Sequence, residues 1–361
     1  MGGSIRITYE ELHTPKVDEI LARQAEESAL RTGMVTASLE KGKVSLIHKN
    51  WFNLMIAGMV GALIAWALIE PYFEDTADIT PESVAIAYLL IASVGGLAGL
   101  MIGSMEGFLA RNYSRAFKGG GMGLLIGFGG GLVSTFVAGI VLTLAITIGV
   151  LFVGREAASD PTNHFSGFII MVIARSLAWT VAGMTVGLGP GIALKSKKLK
   201  MNGFIGGMIG GFIGGFLFDP INYFVSGGTF ETGAEVSRAI GFAVIGASAG
   251  FMIGLVEMLT KDAWLIMTSG PLIGKQFILY KNPTFLGSSP KCEVYLFKDP
   301  TIEPFHAAIN RIRDGYEIED KNSRDGIFVN GQRLKRKRLQ NGDEIQLGSV
   351  RFIYSEKEQK K

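Results

Sequence analysis

GGGMGLLIGFGGGLVSTFVAGIVLTLAITIGVLFVG, residues 119–154, is a run of 36 residues without a single charge. A bilayer core takes about 20 mostly apolar residues in helical form, so such a run reads as membrane-crossing. Uncharged runs of span length recur at Trp51–Ile69, Ser83–Met105, Ser176–Leu194, Met201–Phe218 and Ala239–Val256. The opening run exceeds one span and admits two readings, one tilted helix that protrudes or two short helices.

Loop charge decides the count. Lys41, Lys43 and Lys49 precede the first run, Arg111, Arg115 and Lys118 follow the second, and Lys195, Lys197, Lys198 and Lys200 follow the fourth. The alternate connections are poor in Lys and Arg. Residues 70–82 hold Glu70, Glu74, Asp75, Asp78 and Glu82; the other two carry Arg155 beside Asp160, and Arg238 beside Asp219, Glu231 and Glu235. Basic loops stay on the cytoplasmic side, so six spans with both termini cytoplasmic, in a plasma (inner) membrane, satisfy every connection. Splitting the third run would invert all later ones.

Composition agrees with this reading. The 361 residues are 48% hydrophobic with 49 glycines and 19% charged, and the charges crowd either side of the Trp51–Val256 block. Cys292 is the single cysteine, which excludes a disulfide framework and a multi-thiolate metal site. His13, His48, His164 and His306 lack metal-ligand spacing. Residues 1–48 carry charges throughout and lack the apolar core of a secretory signal; Val17–Arg31 has apolar residues near helical spacing, an amphipathic helix expected on the cytoplasmic side. Three segments follow: an arm 1–48, a glycine-rich transmembrane domain 49–258, and a soluble C-terminal part 259–361.

Within the membrane block the sequence repeats. An offset of 84 carries Gly99, Gly103 and Gly107 onto Gly183, Gly187 and Gly191, and Gly119, Gly123, Gly127 and Gly131 onto Gly203, Gly207, Gly211 and Gly215. Segments 95–135 and 179–219 thus form two copies of a hairpin around a basic turn. An offset of 151 lays Gly95, Gly99, Gly103 and Glu106 on Gly246, Gly250, Gly254 and Glu257, making the sixth span half a copy. Glycine at every fourth position leaves a smooth face for close helix approach, so these glycines are read as packing surfaces of a bundle or of a homo-oligomer. A pore or transporter is the competing reading. Ionisable groups are expected only at span ends, with Glu106 and Glu257 on the cytoplasmic side and Arg175 and Asp219 on the outer side, where they snorkel. Arg111, Arg115 and Lys261 are candidate partners of Glu106 and Glu257 in helix-end salt bridges, and Gly189-Pro190-Gly191 suggests a broken helix end.

From Trp264 the texture changes to short β-branched and aromatic runs separated by turn residues, "QFILY", "CEVYLF", "HAAINRI", "YEIED", "GIFVNG", "DEIQLG" and "RFIY", which predict an all-β sandwich. The blocks "GPLIGKQFIL", "FLGSS", "DPTIEPFHAAI", "GYEIED", "SRDGIFVNGQRL" and "NGDEIQLGSVRFIY" occur in order over Leu265–Tyr354, and the region resembles the forkhead-associated (FHA) domain. The resemblance implies a phosphothreonine-peptide binder, with phosphate held by an arginine after a strand-end glycine and by a serine before the His-Ala pair, and an asparagine fixing the peptide backbone. This chain departs at all three places. Ser288 follows Gly287 in the arginine position, Glu303 stands in the serine position, and Asp325 in the asparagine position, with Ile327 for the usual threonine. Two carboxylates where a dianion would sit repel it. His306, Arg324, Asn330 and Gly331 match the residues that brace the loops, so the architecture is expected to survive while the pocket is altered. Lys291 and Arg311 are the candidate substitute anchors.

The cluster Arg333, Lys335, Arg336, Lys337 and Arg338 reads either as a solvated face or as a patch on an anionic leaflet, each cation contributing about 1 kcal/mol there. Nucleic acid is not an expected partner. No nucleophile–base pair, phosphate-cradling loop or metal cluster is legible, which predicts a protein that is not an enzyme and takes no cofactor. The expected architecture is an α-helical polytopic membrane bundle of about six spans followed by an FHA-like sandwich. The expected role is a signalling or scaffold protein presenting a degenerate FHA module to a cytoplasmic protein partner, phosphorylated or not. The alternative is a small channel or transporter regulated by that module.

Overall fold

The computed structural model describes residues 49–72, 80–156, 163–193, 195–225 and 234–357. The helix expected at 17–31, with the whole arm 1–48, lies outside the described residues. The chain divides between Asp262 and Ala263 into two compact units.

Six helices build the first unit: α1 (Asn50–Ile69), α2 (Pro81–Leu109), α3 (Tyr113–Val153), α4 (Phe165–Ala193), α5 (Lys197–Val225) and α6 (Ala234–Thr260). Each is long and apolar enough to cross a membrane. Local signals set the starts. Before α2, the Thr80 side chain accepts from Ser83 N and the Ser83 hydroxyl accepts from Thr80 N, both at 3.1 Å, with Pro81 next in line. Asn112 accepts from Arg115 N at 3.1 Å and opens α3.

The long uncharged run is one helix of 41 residues, which removes the two-helix reading. At 1.5 Å per residue it is about 60 Å long, twice a bilayer core, and Phe152 near its end is 83% exposed. The break expected at Gly189-Pro190-Gly191 is also absent: α4 continues to Ala193, because a proline so near a helix end removes only one ladder bond.

One expectation about span ends is corrected: α4 begins at Phe165, so Arg175 lies well inside it, with its side chain 35% exposed. Asp219 lies near the end of the apolar stretch Lys197–Ile221, as expected, but its side chain is only 1% exposed. Arg175 Nη1 sits 3.1 Å from Asp219 Oδ1, and this mutual neutralisation lets a helix carry a charge where a hydropathy window sees an interruption.

The glycines meet backbone. A Cβ added to Gly95 of α2 would lie 2.6 Å from the Gly127 carbonyl oxygen of α3, a separation real Cβ atoms do not show, and Gly99 opposes Gly123 and Gly103 opposes Gly119 in the same way. Between α4 and α5, Gly183 opposes Gly207 and Gly187 opposes Gly203. Gly107 and Gly131 meet Ala116 and Ala92, and Gly211 and Gly215 meet Trp179 and Ser176. Gly191 is placed only as a helical residue. The sixth span, read as half a copy, has a partner the sequence reading did not assign: Gly246 opposes Gly58 of α1, Gly250 meets Leu54 and Gly254 meets Trp51. Each pair carries one ion pair, Arg115–Glu106 at 2.9 Å, Arg175–Asp219, and Arg238–Glu70, where Arg238 Nε donates to Glu70 Oε1 at 3.0 Å. Glu257 accepts from the Asn50 amide.

Eleven strands build the second unit, a sandwich of a six-stranded sheet ordered β2-β1-β11-β10-β7-β8 and a five-stranded sheet ordered β4-β3-β5-β6-β9. The strands are β1 (Ala263–Ser269), β2 (Gln276–Ile278), β3 (Thr284–Gly287), β4 (Val294–Tyr295), β5 (Ala307–Ile312), β6 (Gly315–Asp320), β7 (Ile327–Val329), β8 (Gln332–Leu334), β9 (Arg336–Arg338), β10 (Glu344–Leu347) and β11 (Val350–Glu356). "CEVYLF" supplies only the two residues of β4, paired parallel to β3. Leu265, Met267, Leu286, Ile309, Ile318, Ile345, Phe352 and Tyr354 interdigitate between the sheets.

Candidate functional site

Three loops gather at one end of the sandwich: β3–β4 after Gly287, β4–β5 ending at His306, and β6–β7 across residues 321–326. Backbone bonds stitch the first two, with Ser288 N donating to Glu303 O at 2.9 Å and Ser289 N to Pro304 O at 3.2 Å. Gly287 is obligatory there, since a Cβ would meet the carbonyl oxygens of Pro304 and Glu303.

His306, fully buried, joins the second loop to the third. Its Nδ1 accepts from Glu303 N at 3.3 Å, which leaves the proton on Nε2, and Nε2 donates to Gly326 O at 3.0 Å. Ser323 shapes the third loop from inside: its hydroxyl donates to Asp320 Oδ1 at 2.6 Å and accepts from Gly326 N at 3.0 Å. Arg324 braces it through the backbone, its carbonyl accepting from Arg333 Nη2 at 3.0 Å. Asn330 and Gly331, with φ of 52° and 77°, form the β7–β8 turn, and the Asn330 amide donates to Asp343 Oδ1 at 2.7 Å while its oxygen accepts from Glu344 N at 2.8 Å.

The substituted positions fall together. Glu303 Oε1 accepts from Arg324 N at 3.0 Å, so the carboxylate in the serine position reaches across the groove and holds the loop that carries Asp325. Ser288, bonded through its backbone to Glu303, borders the same place. Ile327 is fully buried in the core and has become a packing residue.

The candidate substitute anchors separate. Lys291 stays on the β3–β4 loop, exposed, its N–H donating to Ser289 Oγ at 3.3 Å. Arg311 does not line the groove: it pairs with Tyr316 near the opposite end of β5, about 15 Å of strand beyond His306. Spacing after His306 suggested proximity, but an extended strand carries five residues away from the loop.

The basic cluster is also less free than its charge count. Arg336 Nε pairs with Glu317 Oε1 at 2.7 Å, Lys337 Nζ with Asp343 Oδ1 at 3.1 Å, Arg338 donates to the Asp314 carbonyl and Arg333 to that of Arg324. Three of the five sit on β9, the outermost strand of its sheet, where charge discourages edge-to-edge pairing. Lys335 is exposed. Cys292 is buried and donates to Pro304 O at 3.1 Å; burial, with the neighbouring Glu293 charge, pushes its thiol up to about 11, so it is a packing thiol. Sequence reasoning missed Asp299, whose oxygens accept from Ser349 N at 2.8 Å and Thr301 N at 2.9 Å and tie the β4–β5 loop to the β10–β11 turn. A "DPT" turn could have pointed to Thr301, but not to Ser349, fifty residues on.

A two-sheet sandwich that presents three cross-braced loops at one end defines an interaction module. The family model of the FHA domain matches residues 284–348. The oxoglutarate dehydrogenase inhibitor of Corynebacterium jeikeium (strain K411) is 36% identical over 108 residues, 30% of this chain and 72% of the relative. The glycogen accumulation regulator GarA of Mycolicibacterium smegmatis is 29% identical over 105 residues, 29% of this chain and 66% of the relative. Among solved structures, the FHA domain of the CT664 protein from Chlamydia trachomatis is 25% identical, covering 27% of this chain and 99% of that one with a TM-score of 0.25. The chain belongs to the family of FHA-domain proteins, with the FHA domain in its C-terminal unit.

Proposed function

We propose that this protein is a membrane-anchored signalling or scaffold protein, not an enzyme, whose six helices tether an FHA module that is presented to a cytoplasmic protein partner. The helices' length and hydropathy and the alternation of basic connections support the anchoring. Leu54, Ala57, Ile102, Val186 and Ile253 form one buried apolar cluster shared by α1, α2, α4 and α6, which supports a packed anchor. One observation carries the proposal about recognition: the Glu303 carboxylate already occupies the Arg324 N–H across the groove. With Ser288 and Asp325 also in place of the usual arginine and asparagine, the partner is recognised without the ordinary phosphate anchors.

Titration calorimetry of the full-length protein against a degenerate phosphothreonine peptide library, paired with unphosphorylated versions, tests this. No phosphate preference is expected. Ser288→Arg, Glu303→Ser and Asp325→Asn together are expected to create one, since a charged hydrogen bond to phosphate contributes about 1.5–3 kcal/mol. Micromolar, phosphate-dependent binding by the unmodified protein overturns the reading and points to Lys291. Topology is tested separately: single cysteines at Asp78, Asn163 or Gly228 label with an impermeant reagent from outside, and those at Ser114 or Ser196 do not. Outside labelling at Ser196 breaks the six-span arrangement.

A further inference from the structure

The glycine contacts show that one junction is built three times. Gly95, Gly99 and Gly103 of α2 approach Gly127, Gly123 and Gly119 of α3; at an offset of 84, Trp179, Gly183 and Gly187 of α4 approach Gly211, Gly207 and Gly203 of α5. At an offset of 151, Gly246, Gly250 and Gly254 of α6 approach Gly58, Leu54 and Trp51 of α1, so the last and first helices close the third copy. The same offsets relate Ile102, Val186 and Ile253, which share one buried cluster.

Applied to the ion pair between α4 and α5, the correspondence is informative. The positions equivalent to Arg175 hold Ile91 and Phe242; those equivalent to Asp219 hold Thr135 and, 69 residues earlier as Gly58 is to Gly127, Trp66. Ile91, Phe242 and Trp66 all belong to, or pack against, one apolar cluster. Two copies of the junction are therefore made without a charge at this level. Since apolar replacements of a buried ion pair are commonly as stable as the pair, the architecture does not require Arg175 and Asp219.

Asp219 is held unusually. Neither carboxylate oxygen accepts a hydrogen bond from any described residue, although Arg175 Nη1 lies at 3.1 Å, and the guanidinium also stacks over the Phe218 ring, 4.8 Å from its centroid. The helices packed on α5 are α4 and α6. On α4 the one charged side chain is Arg175; on α6, Arg238 bonds Glu70 just beyond the end of α1, Glu235 is exposed, and Glu257 lies near the other end. The nearest titratable group on α5 itself is Tyr223, one turn beyond Asp219. An ionisable group kept inside an apolar bundle at such cost marks a task rather than a scaffold contact.

We propose that Asp219 is a proton-binding site. A proton from solution adds to one carboxylate oxygen and forms an O–H bond, Arg175 keeps its charge, and the electrostatic clasp between α4 and α5 is released. Arg175, with 35% of its side chain exposed, reaches from the buried carboxyl to the outside of the helical bundle. The proposal is independent of what the FHA module reads.

Infrared pH-difference spectra of the full-length protein in lipid nanodiscs test it. Between about pH 4 and 9, the wild type is expected to show a protonated-carboxyl band that appears with acid, is lost in Asp219→Asn and survives in Glu235→Gln. Identical difference spectra for the wild type and a folded Asp219→Asn overturn the proposal. Should Asp219→Asn not fold, Arg175→Gln decides: without the cation the band is expected to persist to higher pH, and an unmoved transition overturns the proposal.

Discussion

The largest fully buried side chains, from Tyr354 and Phe352 to Leu265 and Leu347, all belong to the sandwich, whereas the helical unit's most enclosed positions include Ala62, Ala65 and Ala92. In water, hiding large apolar surface drives assembly, at about 25 cal/mol per Å². With the helices in lipid, as proposed, that drive vanishes, and stability comes from backbones close enough for van der Waals and Cα–H···O contact. One chain therefore carries two packing rules, and each unit should fail differently.

The largest effect is expected where a side chain is added to the helical unit. Gly103→Leu drives a Cβ into the Gly119 carbonyl, which is backbone and cannot yield, so α2 and α3 must separate. A loss of about 4 kcal/mol or more is expected, read as aggregation or a collapsed melting temperature in detergent. Gly121→Leu sharpens the point, because nothing lies within 4 Å of its added Cβ. That variant should melt like the wild type or slightly higher, as glycine is a poor helix former. The sandwich should break the opposite way, by removal: Phe352→Ala empties a fully buried ring stacked edge-on against Phe277 and should cost about 3–5 kcal/mol of β-unit stability in denaturant titrations.

The same contrast explains what was legible beforehand. Six helices and a sandwich follow from charge-free runs and alternating strands, because both periodicities are local. The glycine ladder at an offset of 84 was visible, but its closure by α1 was not, since Leu54 and Asn50 stand where the other copies have glycine. Arg175 marked the edge of a hydropathy run and so looked like a helix end, while its partner Asp219 is 44 residues away. At the site, Gly287, His306 and Asn330 were readable through the resemblance to the FHA domain. The Glu303 to Arg324 bond was not, because it joins two loops whose approach only the sheets define.

His306→Ala tests whether those loops depend on one another. It removes the bond to Gly326 O and the acceptor for Glu303 N, leaving buried backbone groups unpaired, at a cost of about 2–3 kcal/mol. Amide exchange should rise at residues 303 and 326 together while β1 and β11 stay protected. A uniform rise over the sandwich would mean that His306 supports the whole core.

The smallest effect concerns a proton on the sandwich, where a titratable group takes the place that backbone contact has in the helical unit. Burial alone would raise the Asp299 carboxyl, but hydrogen bonds from the side chains and backbones of Ser349 and Thr301 outweigh it and bring it down to about 2. An unfolded aspartate titrates near 3.9, so this contribution is fully present above about pH 4 and is lost as pH falls toward 2. Partial exposure screens it to about 1 kcal/mol. In Asp299→Asn the amide has one acceptor oxygen for partners that formerly had two, so the variant should be less stable by that amount at neutral pH and equal to the wild type near pH 2. Denaturant midpoints of the sandwich, followed against pH in both proteins, should converge on acidification. If the two curves stay parallel down to about pH 2, the loop-to-turn clasp carries no charge-dependent stability.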